Sequence, residues 1–206
     1  MSTLVLYTNP QSRGRIAHWL MEEIGQPYDT VWLDFGPPMR TQAYLDINPM
    51  GKVPALQHGE AIVTETAAIC AYMADTFPAA GLIPPPGSPE RAAFYRWLFF
   101  TAGPIEMATT AKSFGWEVPE GKSGMVGFGK YSRALDTLEK ALQPGPFICG
   151  DQFTAVDVYV CSALAWGMMM GSVEKRPAFA EYVARLQERP AAMRSNQINN
   201  DKMKGA

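Results

Sequence analysis

The sequence predicts two domains, an α/β domain with a mixed sheet followed by an all-helical domain. Segments of strand and helix character alternate over the first 80 residues, a segment rich in Pro and Gly follows, and most later segments have the apolar spacing of helices. Because the Pro and Gly residues interrupt regular structure, we place a linker at 80–88. The expected domains are therefore 1–79 and 89–206.

The first domain begins with a strand, "TLVLYT", and a helix over 12–24 that carries an apolar stripe at helical spacing. A second strand, "YDTVWLD", and a short helix over 40–46 follow. Two more strands, "VPALQ" and "AIVT", flank the turn "HGE", and a helix over 65–76 completes the domain. The HG turn is typical of a hairpin, so we expect the last two strands to be antiparallel, whereas helical crossovers join the earlier ones.

The second domain reads as helices separated by turns. Its first helix opens after Ser88 and Pro89, residue types that suit the N-cap and the first helical position. Gly and Pro in "GPIEMATT" are expected to break that helix. Further helices are predicted over 124–142, in "FTAVDVYVCSALAWGMMM" and in "PAFAEYVARLQERP". The tail "RSNQINNDKMKGA" is polar, so we expect it to be frayed.

Composition excludes several classes of function. The chain has 206 residues, 47% apolar and 18% charged, with a net charge of -2. Without a basic footprint, no nucleic-acid partner is expected, and no apolar run approaches the length of a membrane span. A signal-peptide pattern is absent, so we expect a cytoplasmic protein.

The three cysteines, Cys70, Cys149 and Cys161, have no CxxC spacing, and the chain contains only two histidines. An odd cysteine count suits a reducing compartment and argues against a disulfide framework. We expect inert core thiols and no metal site.

The stretch 48–69 places Val53 and Pro54 where a strand should pair its backbone. Pro lacks an N–H donor, so one interpretation is an ordinary trans Pro on an edge strand. The other is a cis peptide bond that turns the backbone groups of Val53 toward a ligand. The residues alone leave both open.

"NPMGKVPAL", followed by "ETAAI" after a hairpin, resembles the glutathione-binding half of the glutathione S-transferases. "GDQFTAVDVYV" resembles the capping-box segment of their helical half, and the likeness covers essentially the whole chain. The resemblance implies a thioredoxin-like domain of order β-α-β-α-β-β-α, an all-α second domain and a homodimer. It also implies glutathione as co-substrate, with no metal and no other bound cofactor.

The resemblance assigns roles to five residues of this stretch. A cis Val53–Pro54 bond would let the backbone of Val53 pair with the cysteinyl part of glutathione. Glu65 and Thr66 would hold the γ-glutamyl end at a helix N-terminus, and Lys52 would pair with the glycine carboxylate. The alternatives are a solvated Lys52 and an ordinary helix cap at Thr64, with Glu65 merely favouring the dipole.

The glutathione thiol needs a hydrogen-bond donor near the first helix. Ser12 lies two residues after a Pro, where several transferase classes keep a catalytic Ser and the bacterial beta class keeps a Cys, so the class stays undecided. A Ser cannot form the mixed disulfide of the glutathione-dependent reductases. Asn9 is a second candidate donor. Other classes of the family activate glutathione with a tyrosine that would fall at position 9, so Tyr7, two residues earlier, reads as a strand residue. The alternative for Ser12 is a simple N-cap.

The electrophile site is expected in the helical domain, among residues that are apolar and adaptable. The candidates are Phe100, Met107, Phe114, Trp116, Trp166 and the run Met168, Met169 and Met170. Each also suits a helix core. The function that the resemblance implies is activation of the glutathione thiol for attack on small hydrophobic electrophiles. The alternative is a non-catalytic member that binds a ligand or a partner protein.

Overall fold

The computed structural model describes residues 3–205, which form two compact units. One unit contains the chain up to Ala80 together with the chain from Arg189 onward, and the other is Gly81–Glu188. This division differs from the domain range 89–206, which groups all the later helices by continuity of sequence. The last helix instead packs against the first one.

A four-stranded mixed sheet forms the centre of the first unit. Its strands are β1 (Leu4–Thr8), β2 (Asp29–Trp32), β3 (Ala55–His58) and β4 (Ala61–Thr64), in the order β2-β1-β3-β4. β1 and β2 are parallel, while β3 is antiparallel to both β1 and β4. The crossover and hairpin predicted from the sequence are therefore confirmed.

Three helices accompany this sheet, α1 (Gly14–Ile24), α2 (Gln42–Leu45) and α3 (Thr66–Thr76), and a 3-10 turn covers Pro37–Arg40. Leu4, Leu6 and Thr8 of β1 are buried on one face of the strand, as the two-residue period of a strand requires. Together with the thioredoxin-like order of the elements, this confirms the predicted fold of the N-terminal part.

The second unit is helical within the described residues. Its helices are α4 (Pro89–Phe100), α5 (Glu106–Phe114), α6 (Tyr131–Ala141), α7 (Ala155–Met170) and α8 (Pro177–Gln187). The hydroxyl of Ser88 accepts a hydrogen bond from the N–H of Arg91 at 3.1 Å, which confirms the predicted N-cap. Thr154 and Asp157 form the predicted capping box at the start of α7.

One prediction for this unit holds in part and another is wrong. The α-helix is interrupted at Gly103 and Pro104, as predicted, but a π turn over Thr101–Ile105 keeps the chain helical and joins α4 to α5. The helix predicted over 124–142 begins only at Tyr131. Glycines at 124, 127 and 129 explain the late start, since each lowers helix stability by about 1 kcal/mol relative to Ala.

The expected frayed tail is also wrong, because α9 (Pro190–Lys204) belongs to the first unit. Arg189, at its N-cap, donates two hydrogen bonds to the carboxylate of Glu23 on α1 at 2.7 and 2.8 Å. Arg194 bonds Glu22 at 2.9 Å. Polar contacts therefore order a segment that has no wide apolar face.

Candidate functional site

The strand pairing brings the candidate residues of the first unit to one edge of the sheet. Tyr7 pairs with Ala55 across β1 and β3, and Ala55 pairs with Thr64 across β3 and β4. Asn9, Val53 and Thr66, referred to below as the row, each lie two residues beyond these pairs at the same end of the sheet. On the other side of β1, Thr8 is in register with Trp32 of β2.

Val53 offers a backbone that is ready to pair with another chain. Its bond to Pro54 is cis. Among residues 3–205, no hydrogen bond involves the backbone N–H or C=O of Val53. The preceding C=O of Lys52 is fixed by the hydroxyl of Tyr44 at 2.6 Å and the side-chain amide of Asn48 at 2.7 Å. An extended peptide can therefore add to this edge as a further strand.

Glu65 and Thr66 stand at the N-terminus of α3. Glu65 is the N-cap residue and has φ 66°, a conformation that non-glycine residues seldom adopt. The alternative of a Thr64 cap is contradicted, since Thr64 ends β4. No hydrogen bond to the side chain of Glu65 or Thr66 is formed within the described residues. The first-turn N–H groups and these side chains together suit an amino-acid zwitterion.

Lys52 is exposed, and the turn before it is tightly built. Gly51 has φ 58°, and a Cβ there would lie 2.4 Å from a guanidinium nitrogen of Arg40. Within the part of the chain described, Lys52 forms no ion pair, so its ammonium group is available to an anion.

The Ser12 hydroxyl takes part in the turn that begins α1. It donates to the C=O of Asn9 at 2.8 Å and accepts the N–H of Gly14 at 2.9 Å. The capping alternative thus describes a real contact, although the N-cap position itself is Arg13. Ser12 is half-buried. Its oxygen retains access, but its proton points to Asn9 before any ligand binds.

Asn9 connects the ends of β1 and β2. Its side-chain amide donates to the C=O of Leu33 at 2.8 Å, and its carbonyl oxygen accepts the N–H of Gln11 at 2.9 Å. Tyr7 lies within β1, and its hydroxyl donates to the side chain of Gln57 at 3.1 Å. Tyr7 is thus a strand residue bonded to the neighbouring strand.

Gly14 permits the close approach of α1 to β1. A Cβ at this position would lie 1.9 Å from the Thr8 hydroxyl oxygen and 2.9 Å from that of Ser12. Any larger residue would push the start of α1 away from the strand. The placement of Ser12 relative to the sheet therefore depends on glycine at position 14.

A cavity of about 170 Å³ opens beside Asn9 on the β2 side. It is lined by Asn9, Pro10, Gln11, Trp32, Leu33, Asp34, Lys202 and Met203. All eight belong to the first unit. The ammonium group of Lys202 lies 5.9 Å from the centroid of the Trp32 ring.

The electrophile candidates all lie in the second unit. Phe100 is half-buried at the end of α4 and packs edge-on against Trp97 at 5.4 Å. Met107, Trp116, Trp166 and Met169 are exposed. Phe114 and Trp116 stack on each other with their ring centroids 5.2 Å apart. The exposed candidates offer apolar surface to a ligand.

The cysteines are buried and unpaired, as predicted. Burial raises the pKa of each thiol to about 12, so none is a thiolate near neutral pH. In residues 3–205, no cluster of three or more His, Cys, Asp or Glu side chains suits a metal ion. No helix described is long and apolar enough to cross a membrane.

Sequence reasoning missed two groups of residues around the site. Tyr44 and Asn48 hold the C=O of Lys52, and the only signal for this was the Asn-Pro turn of "NPMG". Lys202 and Met203 line the cavity, but they lie in the segment expected to fray. Their polar sequence carries no sign of a partner in the first 80 residues.

Comparison with known proteins identifies relatives for both units. Residues 13–76 match the family model described as "Glutathione S-transferase, N-terminal domain", and residues 108–185 match "Glutathione S-transferase, C-terminal domain". Glutathione S-transferase GstA of Escherichia coli O157:H7 is 28% identical over 189 residues, covering 90% of this chain and 93% of the relative.

Solved structures of other proteins are similar to this chain along nearly its full length. A glutathione transferase from Methylococcus capsulatus is 30% identical, with a TM-score of 0.78, covering 96% of this chain and 99% of that one. A sphingomonad glutathione S-transferase complexed with glutathione is 26% identical, with a TM-score of 0.76, and covers 95% and 98% of the two chains.

Proposed function

The chain belongs to the glutathione S-transferase family, and from this premise we propose that it binds reduced glutathione at the sheet edge and activates the thiol for attack on electrophiles. The observation that carries the proposal is the unpaired backbone of Val53, two residues before Ala55, which is in register with Tyr7 on one side and Thr64 on the other.

Glutathione is a tripeptide with charged groups at both ends, and the residues along the row offer a contact for each part of it. The cysteinyl backbone pairs with the N–H and C=O of Val53 in the manner of an added strand. The γ-glutamyl end reaches Glu65 and the N–H groups of α3, where the helix dipole favours its carboxylate. Lys52, exposed beside Val53, pairs with the glycine carboxylate.

This binding mode directs the thiol toward the end of β1, where Ser12 lies. A free thiol has a pKa of about 8.5, and lowering it by about two units corresponds to roughly 2.7 kcal/mol of preferential thiolate stabilisation. One hydrogen bond to a charged group contributes about 1.5–3 kcal/mol. Ser12 supplies that bond by rotating its proton from the C=O of Asn9 to the sulfur.

In the reaction that follows, the thiol proton leaves to solvent and the sulfur forms a bond to an electrophilic carbon. A leaving group departs with its electron pair, or an activated double bond accepts the electrons and then a proton. The exposed apolar residues of the second unit are the proposed contacts for a hydrophobic electrophile.

A glutathione titration followed by thiolate absorbance tests this function. We expect binding with the thiol pKa shifted down by about two units, and Ser12→Ala to raise that pKa by about 1–2 units. Ser132→Ala, on the exposed face of α6, is the matched control and should leave the pKa unchanged.

An unshifted thiol pKa in the bound glutathione, or no binding at all, would contradict a transferase and favour the non-catalytic alternative. If Ser12→Ala leaves a lowered pKa in place, the activating group is instead Asn9, Tyr7 or a backbone donor. Homodimer formation and a cytoplasmic location stay predictions, to be checked by light scattering and cell fractionation.

A further inference from the structure

We propose that the cavity between the ends of β1 and β2 and the last turn of α9 binds the carboxylate-bearing end of an aromatic electrophile, with Lys202 as the specificity-determining residue. This inference rests on the proposed function, because it names a substrate class for the same reaction.

The cavity lies next to the expected position of the thiol, on the side away from the glutathione contacts. Asn9 follows β1, which lies between β2 and the strand β3 that follows Val53, and its side chain bonds the C=O of Leu33 on the β2 side. The Ser12 hydroxyl bonds the C=O of Asn9, whose side chain lines the cavity. A second substrate seated there approaches the sulfur without displacing the tripeptide.

The size and the walls suit one substituted aromatic ring. A cavity of about 150 Å³ holds a benzene molecule, and this one has about 170 Å³. The Trp32 indole, Leu33 and the Met203 thioether provide apolar and polarizable surface for a ring.

The charge around the cavity is positive. Lys202 is half-buried in the wall, and it forms no ion pair within the described part of the chain. Arg15 lies directly behind the wall, where its guanidinium bonds the C=O of Pro10 and contacts the Met203 sulfur at 3.7 Å. It likewise has no carboxylate partner in residues 3–205. Among the described residues of the lining, Asp34 is the one acidic side chain, and it is exposed.

Lys202 and Arg15 have no carboxylate partner within the described residues, whereas Asp34 is exposed to solvent. This balance of charges favours an anionic group on the ligand. Lys202 is the cation in the lining itself, so its ammonium group is the contact for a carboxylate. Arg15 instead positions α9. It donates to the side chain of Asn200 at 2.8 Å and thereby holds the last turn of α9 over the cavity.

The test reaction is an aromatic substitution on a chloronitrobenzoate whose chlorine lies ortho to the nitro group. The glutathione thiolate forms a carbon–sulfur bond, the carbon–chlorine bond breaks, and chloride leaves with the electron pair. The methyl ester of the same compound is the uncharged counterpart. Comparing each variant with the wild type on both compounds cancels their different intrinsic reactivities.

We expect Lys202→Gln to lower kcat/KM for the benzoate about three- to tenfold, the size of a partly exposed ion pair, with no more than a twofold change for the ester. Asp34→Asn should raise the benzoate value about twofold. Lys204→Gln, two residues further along α9 and paired with Asp201 at the surface, should change neither value. Equal effects on both compounds, or none, overturn the proposal.

A binding measurement separates this proposal from the proposed function. Calorimetry with nitrobenzoate that lacks the chlorine needs no reaction, and the wild type should bind it at least threefold more tightly than Lys202→Gln. If both proteins bind it equally, the cavity assignment is wrong even where glutathione is ionised. If the difference is present while glutathione fails to bind, the transferase proposal alone is wrong.

Discussion

Thr8 carries a hydroxyl group that is shielded from solvent and makes no hydrogen bond in the described structure. The residue ends β1, directly beneath Gly14 at the start of α1. A buried hydroxyl without a partner loses its hydrogen bonds to water on folding and gains none in return. Thr8 therefore costs stability at the point that positions Asn9 and Ser12.

Thr8→Val should raise the free energy of unfolding by about 0.5–1 kcal/mol, because it removes the unsatisfied group and keeps the branched shape. Urea denaturation measures the change. Thr101→Val is a matched control: Thr101 is equally buried, but its hydroxyl donates to the C=O of Trp97 at 2.8 Å. Thr101→Val should lower the free energy of unfolding. A lower value for Thr8→Val as well would show that the Thr8 hydroxyl has a hydrogen-bond partner.

At this scale the local motifs "NPMGKVPAL" and "ETAAI", with the resemblance that they carry, allowed prediction of the cis Val53–Pro54 bond and of the helix start at Glu65 and Thr66. The sequence did not reveal that the Ser12 proton is already engaged with Asn9. That contact depends on the exact turn between β1 and α1, which no spacing of residue types specifies. For the same reason, the sequence could not predict that the Thr8 hydroxyl lacks a hydrogen bond in the described structure.

At the level of the elements, α9 is joined to α1 by polar contacts. Glu23 of α1 is the anchor: its carboxylate accepts hydrogen bonds from both Arg189 nitrogens and from the Trp19 indole at 2.9 Å. Its side chain is only 7% exposed. Bidentate Arg–carboxylate pairs of this kind are stronger than surface ion pairs.

Glu23→Gln should lower the free energy of unfolding by about 2 kcal/mol, because an amide cannot accept both guanidinium bonds and its NH₂ group would face a donor. The comparison variant is Asp201→Asn, whose partner Lys204 is 77% exposed. That pair should contribute less than about 0.5 kcal/mol. Similar losses for both variants in urea denaturation would refute the anchoring role of Glu23.

The elements that the sequence predicted well are those with a strong local period or cap, such as the hairpin strands and the capped start of α7. α9 was missed because its contacts, to Glu22, Glu23 and His18, lie more than 160 residues earlier in the chain. The start of α6 was misplaced because apolar spacing continued through glycines that favour a loop.

For the molecule as a whole, His18 links stability to pH. It is fully buried between α1, β2 and α9, with Nδ1 3.3 Å from the Asn199 amide oxygen and Nε2 3.4 Å from the Thr30 hydroxyl. Burial lowers the pKa of His18, against smaller opposing effects from Asn199 and Glu22, while Arg15 lowers it further. The fold therefore favours the neutral imidazole of His18 over its protonated form.

Because the folded pKa lies below the unfolded value of 6.5, the unfolded chain binds the proton more readily as the pH falls. Stability is complete above that value and is lost as the pH falls below it toward the folded pKa. One proton gives a slope of at most about 1.4 kcal/mol per pH unit. Urea midpoints measured from about pH 7.5 to 5.5 should show this decline.

His18→Gln should flatten the decline, since it removes the titrating group, whereas His58→Gln should leave the contribution of His18 in place. His58 lies at the end of β3, in a different contact with the Tyr72 hydroxyl. A slope that survives in His18→Gln would assign the pH dependence to other groups.

The first unit is discontinuous in sequence, and this has a consequence for the order of events during synthesis. Residues 81–188 form a unit from one continuous stretch, so all of its helices are available before Arg189 has been translated. The sheet unit still lacks α9 at that moment, and the α1 face around Glu23 and His18 is uncovered. Folding of the sheet unit should thus be completed after that of residues 81–188, once α9 has left the ribosome.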